Sequence, residues 1–133
     1  MVVYVEGGSI VQQQITYQVV QHCYEQLIST HDVDIFVRLK NKLTDNLNGW
    51  CQHNYGNNFE IAIDCSLSRN PLIQTICHEM VHVKQSVNNE YDKTCLDKYS
   101  RSPHSHEFPW EIEAYQLEKP LFTTFMENYI EKG

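Results

Sequence analysis

The sequence predicts an α+β domain. It comprises an N-terminal helix, a small, mostly antiparallel sheet of about three strands, a central helix carrying two histidines, and C-terminal helices. Three observations carry that expectation. Apolar residues recur at helical spacing from Ile10 to about Ser29, and they alternate at strand spacing from Val33 to Leu39. Asn70-Pro71 and Pro109 each stand where a new helix opens.

Taken in order, Val2 to Val5 is a short β-prone run stopped by Gly7-Gly8, either a small strand or a tail. Ser9 with Gln12 forms a capping box. Val11, Ile15, Val19, Val20, Cys23, Tyr24, Leu27 and Ile28 then make one amphipathic helix, on which His22 reads as a surface or core histidine. Val33, Ile35, Val37 and Leu39 alternate with Asp34, Phe36, Arg38 and Lys40, the period of a strand. Asn48-Gly49 signals a turn. Beyond it, Trp50 to His53 and Phe59 to Asp64 flank the hairpin loop Tyr55-Gly56-Asn57-Asn58.

With Asn70 as N-cap and Pro71 as first helical residue, the next helix runs to about Val87. Leu72, Ile76, Met80, Val83 and Val87 form its core stripe, while His78, His82 and Gln85 fall on another side, flanked by Thr75 and Glu79. Residues 89 to 109 are polar and read as a long loop, a kind that is usually functional or disordered. Pro109 opens a helix through Glu118, Pro120 kinks or breaks it, and Leu121 to about Ile130 forms a C-terminal helix. Repeats and linkers are absent, so residues 1–133 read as one domain.

Composition narrows the function classes. A net charge of -7 argues against a nucleic-acid partner, which would meet a basic face. No apolar run approaches membrane-spanning length and no export signal leads the chain, so the expectation is a cytoplasmic protein without a membrane partner. The five cysteines (Cys23, Cys51, Cys65, Cys77 and Cys95) include no Cys-x-x-Cys pair and read as free thiols of a reducing compartment. Cys77 reads as a small buried residue.

Chemistry concentrates in His78-Glu79-Met80-Val81-His82. Residues four apart on a helix share a face, so His78 and His82 can grip one ion together. Imidazole nitrogen suits Zn2+, and a catalytic zinc takes three protein ligands plus an open position. Glu79 lies about 100° around the axis, beside the ion, where a general base for zinc-bound water belongs. Two candidates remain for the third ligand: Glu111 at the start of the later helix, or His104 or His106 in the loop. Glu113 points roughly 200° from Glu111 and cannot share its ion. Tyr115 stands one turn beyond Glu111, where it can contact a ligand or an oxyanion.

His78-Glu79-Met80-Val81-His82-Val83-Lys84-Gln85, followed by Pro109-Trp110-Glu111-Ile112-Glu113-Ala114-Tyr115, resembles small metallopeptidase-like proteins of bacteriophage and bacterial genomes. These are gluzincins bordering the SprT-like proteins. The resemblance covers roughly residues 70 to 118 and implies a minimal zincin-like domain. It implies Glu111 as third ligand, because gluzincins take a glutamate from a later helix, often as Glu-x-x-Ala, the pattern of Glu111 to Ala114. Tyr115 then occupies the place where many relatives carry an aspartate behind the ligands. His104-Ser105-His106-Glu107-Phe108 resembles the His-Gly-Pro-Glu-Phe element of SprT-like proteases, whose third ligand is histidine, with different middle residues.

The expected function is a zinc metalloendopeptidase acting on a polypeptide, with zinc-bound water activated by Glu79 and with Tyr115, His104 or His106 available to an oxyanion. The alternative is a non-catalytic zincin-fold protein serving structure or assembly, for instance in a virion, with a phage or host protein as partner. A phage-encoded chain would work in the host cytoplasm or travel with the particle. A zinc amidase acting on cell-wall peptides is a third reading, which the missing export signal disfavours.

Overall fold

The computed structural model describes residues 1–89 and 108–130, and over these the protein is α+β, with three helices and a four-stranded mixed sheet. Strand β1 (Val2–Gly7) leads into helix α1 (Ile10–Leu27), β2 (Asp34–Lys40) and a short 3-10 turn at Thr44–Asn46. β3 (Gly49–His53) and β4 (Asn58–Asp64) follow, then α2 (Arg69–Val87) and α3 (Pro109–Phe125), which runs into a π-helical turn at Met126–Ile130. No described helix is long and apolar enough to cross a membrane. Much of the expected long loop, with Cys95, His104 and His106, lies outside the described residues.

The sheet order is β1-β2-β4-β3, with β1–β2 and β2–β4 parallel and only β3–β4 antiparallel. The expectation of about three, mostly antiparallel strands is therefore corrected on both counts. Val2–Gly7 is a full strand, registered from Val2↔Asp34 to Gly7↔Leu39. Once it counts as a strand, the 18-residue helix after it becomes a crossover. Such a helix carries the chain back along the sheet, so the next strand starts from the same end and pairs in parallel.

Capping and alternation act as the residue types dictate. Ser9 Oγ accepts from Gln12 N at 3.1 Å and Gln12 Oε1 accepts from Ser9 N at 2.9 Å, closing the box that starts α1. Ile35, Val37 and Leu39 of β2 and Phe59, Ile61 and Ile63 of β4 are buried against α1 and α2. His22 is a buried structural histidine: its Nε2 lies 2.9 Å from Thr124 Oγ1, which ties α1 to the end of α3. The four described cysteines are free thiols, and Cys77 is fully buried.

Three local expectations shift. α2 begins at Arg69 after N-cap Ser68, so Pro71 sits in its first turn rather than at its first position. That is tolerated, because first-turn amides have no intrahelical partner. Gly49, expected in a turn, is the first residue of β3, and a Cβ there would lie 2.8 Å from Thr75 Cγ2 and 3.0 Å from Ala62 O. Glycine is present because β3 and α2 approach closely. Pro120 leaves α3 continuous: it is exposed, so its ring stands in solvent, while Leu121 and Phe125 beyond it stay in the core.

α2 is the hub. It packs against the sheet, α1 and α3, and every residue from Ile76 to Val83 is buried. The apolar stripe is wider than the sequence expectation, since Ile73, Cys77 and Val81 join it. The histidines are also buried, because α3 covers their side of the helix.

Candidate metal centre

His78 and His82 lie one turn apart on α2, with ring centroids 5.0 Å apart and planes nearly perpendicular. Glu111 comes from the first turn of α3, which Pro109 starts with a preset φ. One ligand atom from each of the three lies within 4.8 Å of the other two, a group that could hold a metal ion. The structure thus brings together the two motif histidines and Glu111. His104 and His106 fall outside the described residues.

The far side of each ring decides what the near side offers. His78 Nδ1 is 3.0 Å from Glu118 Oε1, and His82 Nδ1 is 2.7 Å from Gln85 Oε1. A carboxylate and an amide oxygen can only accept, so both Nδ1 atoms carry protons, and in the neutral ring both Nε2 atoms present lone pairs. Those Nε2 atoms face Glu111 Oε1: His82 Nε2 lies against it and His78 Nε2 is 3.5 Å away. Glu111 is 4% exposed, and its buried Oε1 has the two imidazole nitrogens as neighbours. Three acceptor atoms converging in a buried place are favourable only around positive charge. Either a metal ion or protons on the imidazoles must supply it.

Without a metal, the surrounding carboxylates favour protons on the imidazoles. Burial by itself would lower His78, but the Glu111 and Glu118 carboxylates overcome it and raise His78 to about 10. His82 is raised in the same way, burial opposing and Glu111 prevailing. Burial would likewise raise Glu111, yet the two imidazoles beside it hold its carboxyl down at about 2. Two imidazoles plus one carboxylate form a mixed nitrogen–oxygen donor set, a chemistry that zinc sites also use, so the residues could hold a metal ion.

Glu79 stands outside that group of three but lines the same cleft, of about 310 Å³. It is 6% exposed, and burial raises its carboxyl above the ordinary range. Tyr115 is half exposed and lies across His78, with centroids 4.6 Å apart and the planes tilted by 56°. Burial, with Glu111 next, raises its phenol, so it stays protonated. The opposite wall runs from Asn46 to Trp50, the entry to β3. Because β3 is the edge strand on this side, the cleft lies between a sheet edge and the ligand-bearing face of α2.

Sequence reasoning missed the roles of two residues. Gln85 had been placed on the histidine face without a function. Glu118 had no role at all, although it follows Glu111 by two helical turns and so shares its face. A carboxylate does lie behind His78, but it is that of Glu118, one turn beyond Tyr115 on α3. Glu113 is excluded from the centre, as its position around the helix requires, and pairs with Lys84 at 3.1 Å.

Comparison with known protein families, with curated proteins and with solved structures finds no match to this chain.

Proposed function

We propose that this protein is a minimal zinc-dependent endopeptidase of gluzincin type. The observation that carries the reading is the convergence of His78, His82 and Glu111 beside a buried Glu79, at the bottom of a cleft edged by β3. His78 Nε2, His82 Nε2 and a Glu111 carboxylate oxygen would hold the ion. A zinc held there supplies a Lewis acid that acidifies water and polarises a carbonyl.

The chain's own groups do the rest. Glu79 accepts a proton from the attacking water and passes it to the leaving amine. Tyr115, a protonated phenol beside His78, donates a hydrogen bond to the developing oxyanion. Glu118 and Gln85 keep the histidines turned toward the ion. An extended polypeptide adds to the edge of β3, since β4 already has β2 and β3 on its two sides.

The test is hydrolysis of an unfolded protein such as casein by the purified, zinc-loaded chain. Glu79→Gln keeps the shape and the zinc and cuts the rate by about 10²–10⁴-fold. Tyr115→Phe lowers turnover with zinc content unchanged. Activity that survives Glu79→Gln or exhaustive chelation sinks the mechanism. Stoichiometric zinc with no cleavage of any peptide supports the non-catalytic scaffold instead.

A further inference from the structure

We infer that Gln85 is a positioning residue of the metal centre, whose one amide sets the metal-facing nitrogen of His82 and fastens the helix turn that delivers Glu111. This deepens the metal-site reading and rests on it.

The amide's orientation follows from its surroundings. Gln85 is 1% exposed, so its polar atoms depend on protein partners. Its Nε2 lies 2.8 Å from Trp110 O and 2.9 Å from Glu113 Oε1. Both neighbours are acceptors, so the nitrogen has to be on that side and both of its N–H groups are used. The oxygen is thereby left facing His82 Nδ1 at 2.7 Å. A flipped amide would point oxygen at two acceptors and lose both bonds. Since Oε1 cannot donate, His82 keeps its proton on Nδ1 and turns Nε2 toward Glu111.

The second half of the argument is where the amide's donors go. Trp110 and Glu113 bracket Glu111 in the sequence, so Gln85 grips the very turn of α3 that carries the third ligand. Lys84 Nζ holds the other Glu113 oxygen at 3.1 Å, closing the clamp from the same stretch of α2. One side chain therefore touches both His82 and the turn that carries Glu111, although the two lie on separate helices. His78 has a different support in Glu118, whose Oε1 lies 3.0 Å from His78 Nδ1.

The experiment measures Zn2+ affinity of the full chain by competition with a chromophoric chelator, and the Co2+ absorption spectrum as a report on ligand geometry. Gln85→Leu is expected to weaken Zn2+ binding by about 10–100-fold and to alter the Co2+ bands. Gln85→Glu keeps an acceptor for His82 but turns a carboxylate onto Trp110 O and Glu113, so it also binds less tightly. The exchange Gln85→Glu with Glu113→Gln restores a donor–acceptor pair between the two positions while Trp110 O stays opposed, so it recovers part of that loss. A residue that merely filled space between the helices would not be rescued by exchanging amide and carboxylate. Wild-type affinity and spectrum in Gln85→Leu overturn the inference, as does an exchange variant no better than Gln85→Glu. If Gln85→Leu does not fold, the isosteric pair decides alone. Failure of the underlying reading looks different: wild type then takes up no zinc, or His82→Ala binds it as well as wild type does.

Discussion

Glu118→Ala offers a measurable test of the proposed zinc centre. Glu118 Oε1 accepts from His78 Nδ1 at 3.0 Å, and the two side chains are 17% and 11% exposed. A hydrogen bond to a charged group in such a setting is worth about 1.5–3 kcal/mol. Water reaches the rim of the cleft and replaces part of that bond, so a loss of about 1–2 kcal/mol is the reasonable expectation after that discount. At about 1.4 kcal/mol per factor of ten, zinc should bind roughly tenfold more weakly. Glu118→Gln separates the bond from the charge, because an amide oxygen still accepts from Nδ1 while the unit charge is gone. If orientation dominates, Glu118→Gln falls between wild type and Glu118→Ala, and its deficit does not shrink with added salt. If the carboxylate acts only through its field, the two variants coincide and both deficits shrink as salt rises. The assay is chelator competition at two ionic strengths, beside thermal unfolding to keep stability separate. Wild-type zinc affinity in Glu118→Ala would refute the reasoning.

Two further outcomes follow from the geometry. Gly49→Ala places a methyl 2.8 Å from Thr75 Cγ2 and 3.0 Å from Ala62 O, so β3 must retreat from α2. A cost of about 1–3 kcal/mol in denaturant unfolding is expected, and an unchanged midpoint would show that the wall of the cleft yields freely. In the metal-free protein, His78 is raised from 6.5 to about 10, so its contribution to stability is complete below about pH 6.5 and drains away as pH rises toward 10. His82 and Glu79, both raised, act with the same sign. Glu111 is lowered from 4.5 to about 2, so its contribution is present above about pH 4.5 and is lost as pH falls toward 2. Chelator-treated protein should melt highest between those limits and lose stability on the alkaline side, where zinc restores it by binding the deprotonated ligands. A melting temperature that climbs steadily from pH 6.5 to 9 without metal would contradict this.

Much of the site was legible because its pieces are local. His78, Glu79 and His82 need only helical periodicity to share a neighbourhood, and Pro109 announces the helix whose first turn carries Glu111. The capping box at Ser9 and Gln12 and the alternation of β2 and β4 are equally short-range signals. The parallel sheet was less legible. A six-residue strand at the start of the chain carries little pattern, yet it turns α1 into a crossover, and the parallel pairing of β2 with β4 joins strands that are not consecutive in the chain. Gly49 and Pro120 misled for a related reason. Each residue type has a default local meaning, a turn or a break, which close packing against Thr75 and solvent exposure overrode.

Glu118 and Gln85 mark the boundary between the two kinds of information. The sequence by itself determined that His78, Glu79 and His82 share one neighbourhood, because four-residue spacing is a property of the helix alone, and it left the third member open between Glu111 and the loop histidines. Only the packing of α3 across α2 decided that Glu111 meets both histidines, that Glu118 rather than Tyr115 backs His78, and that one buried amide links His82 to Trp110 and Glu113. Those contacts join residues 25 to 40 positions apart, and no periodicity within a single helix encodes the register at which two helices meet.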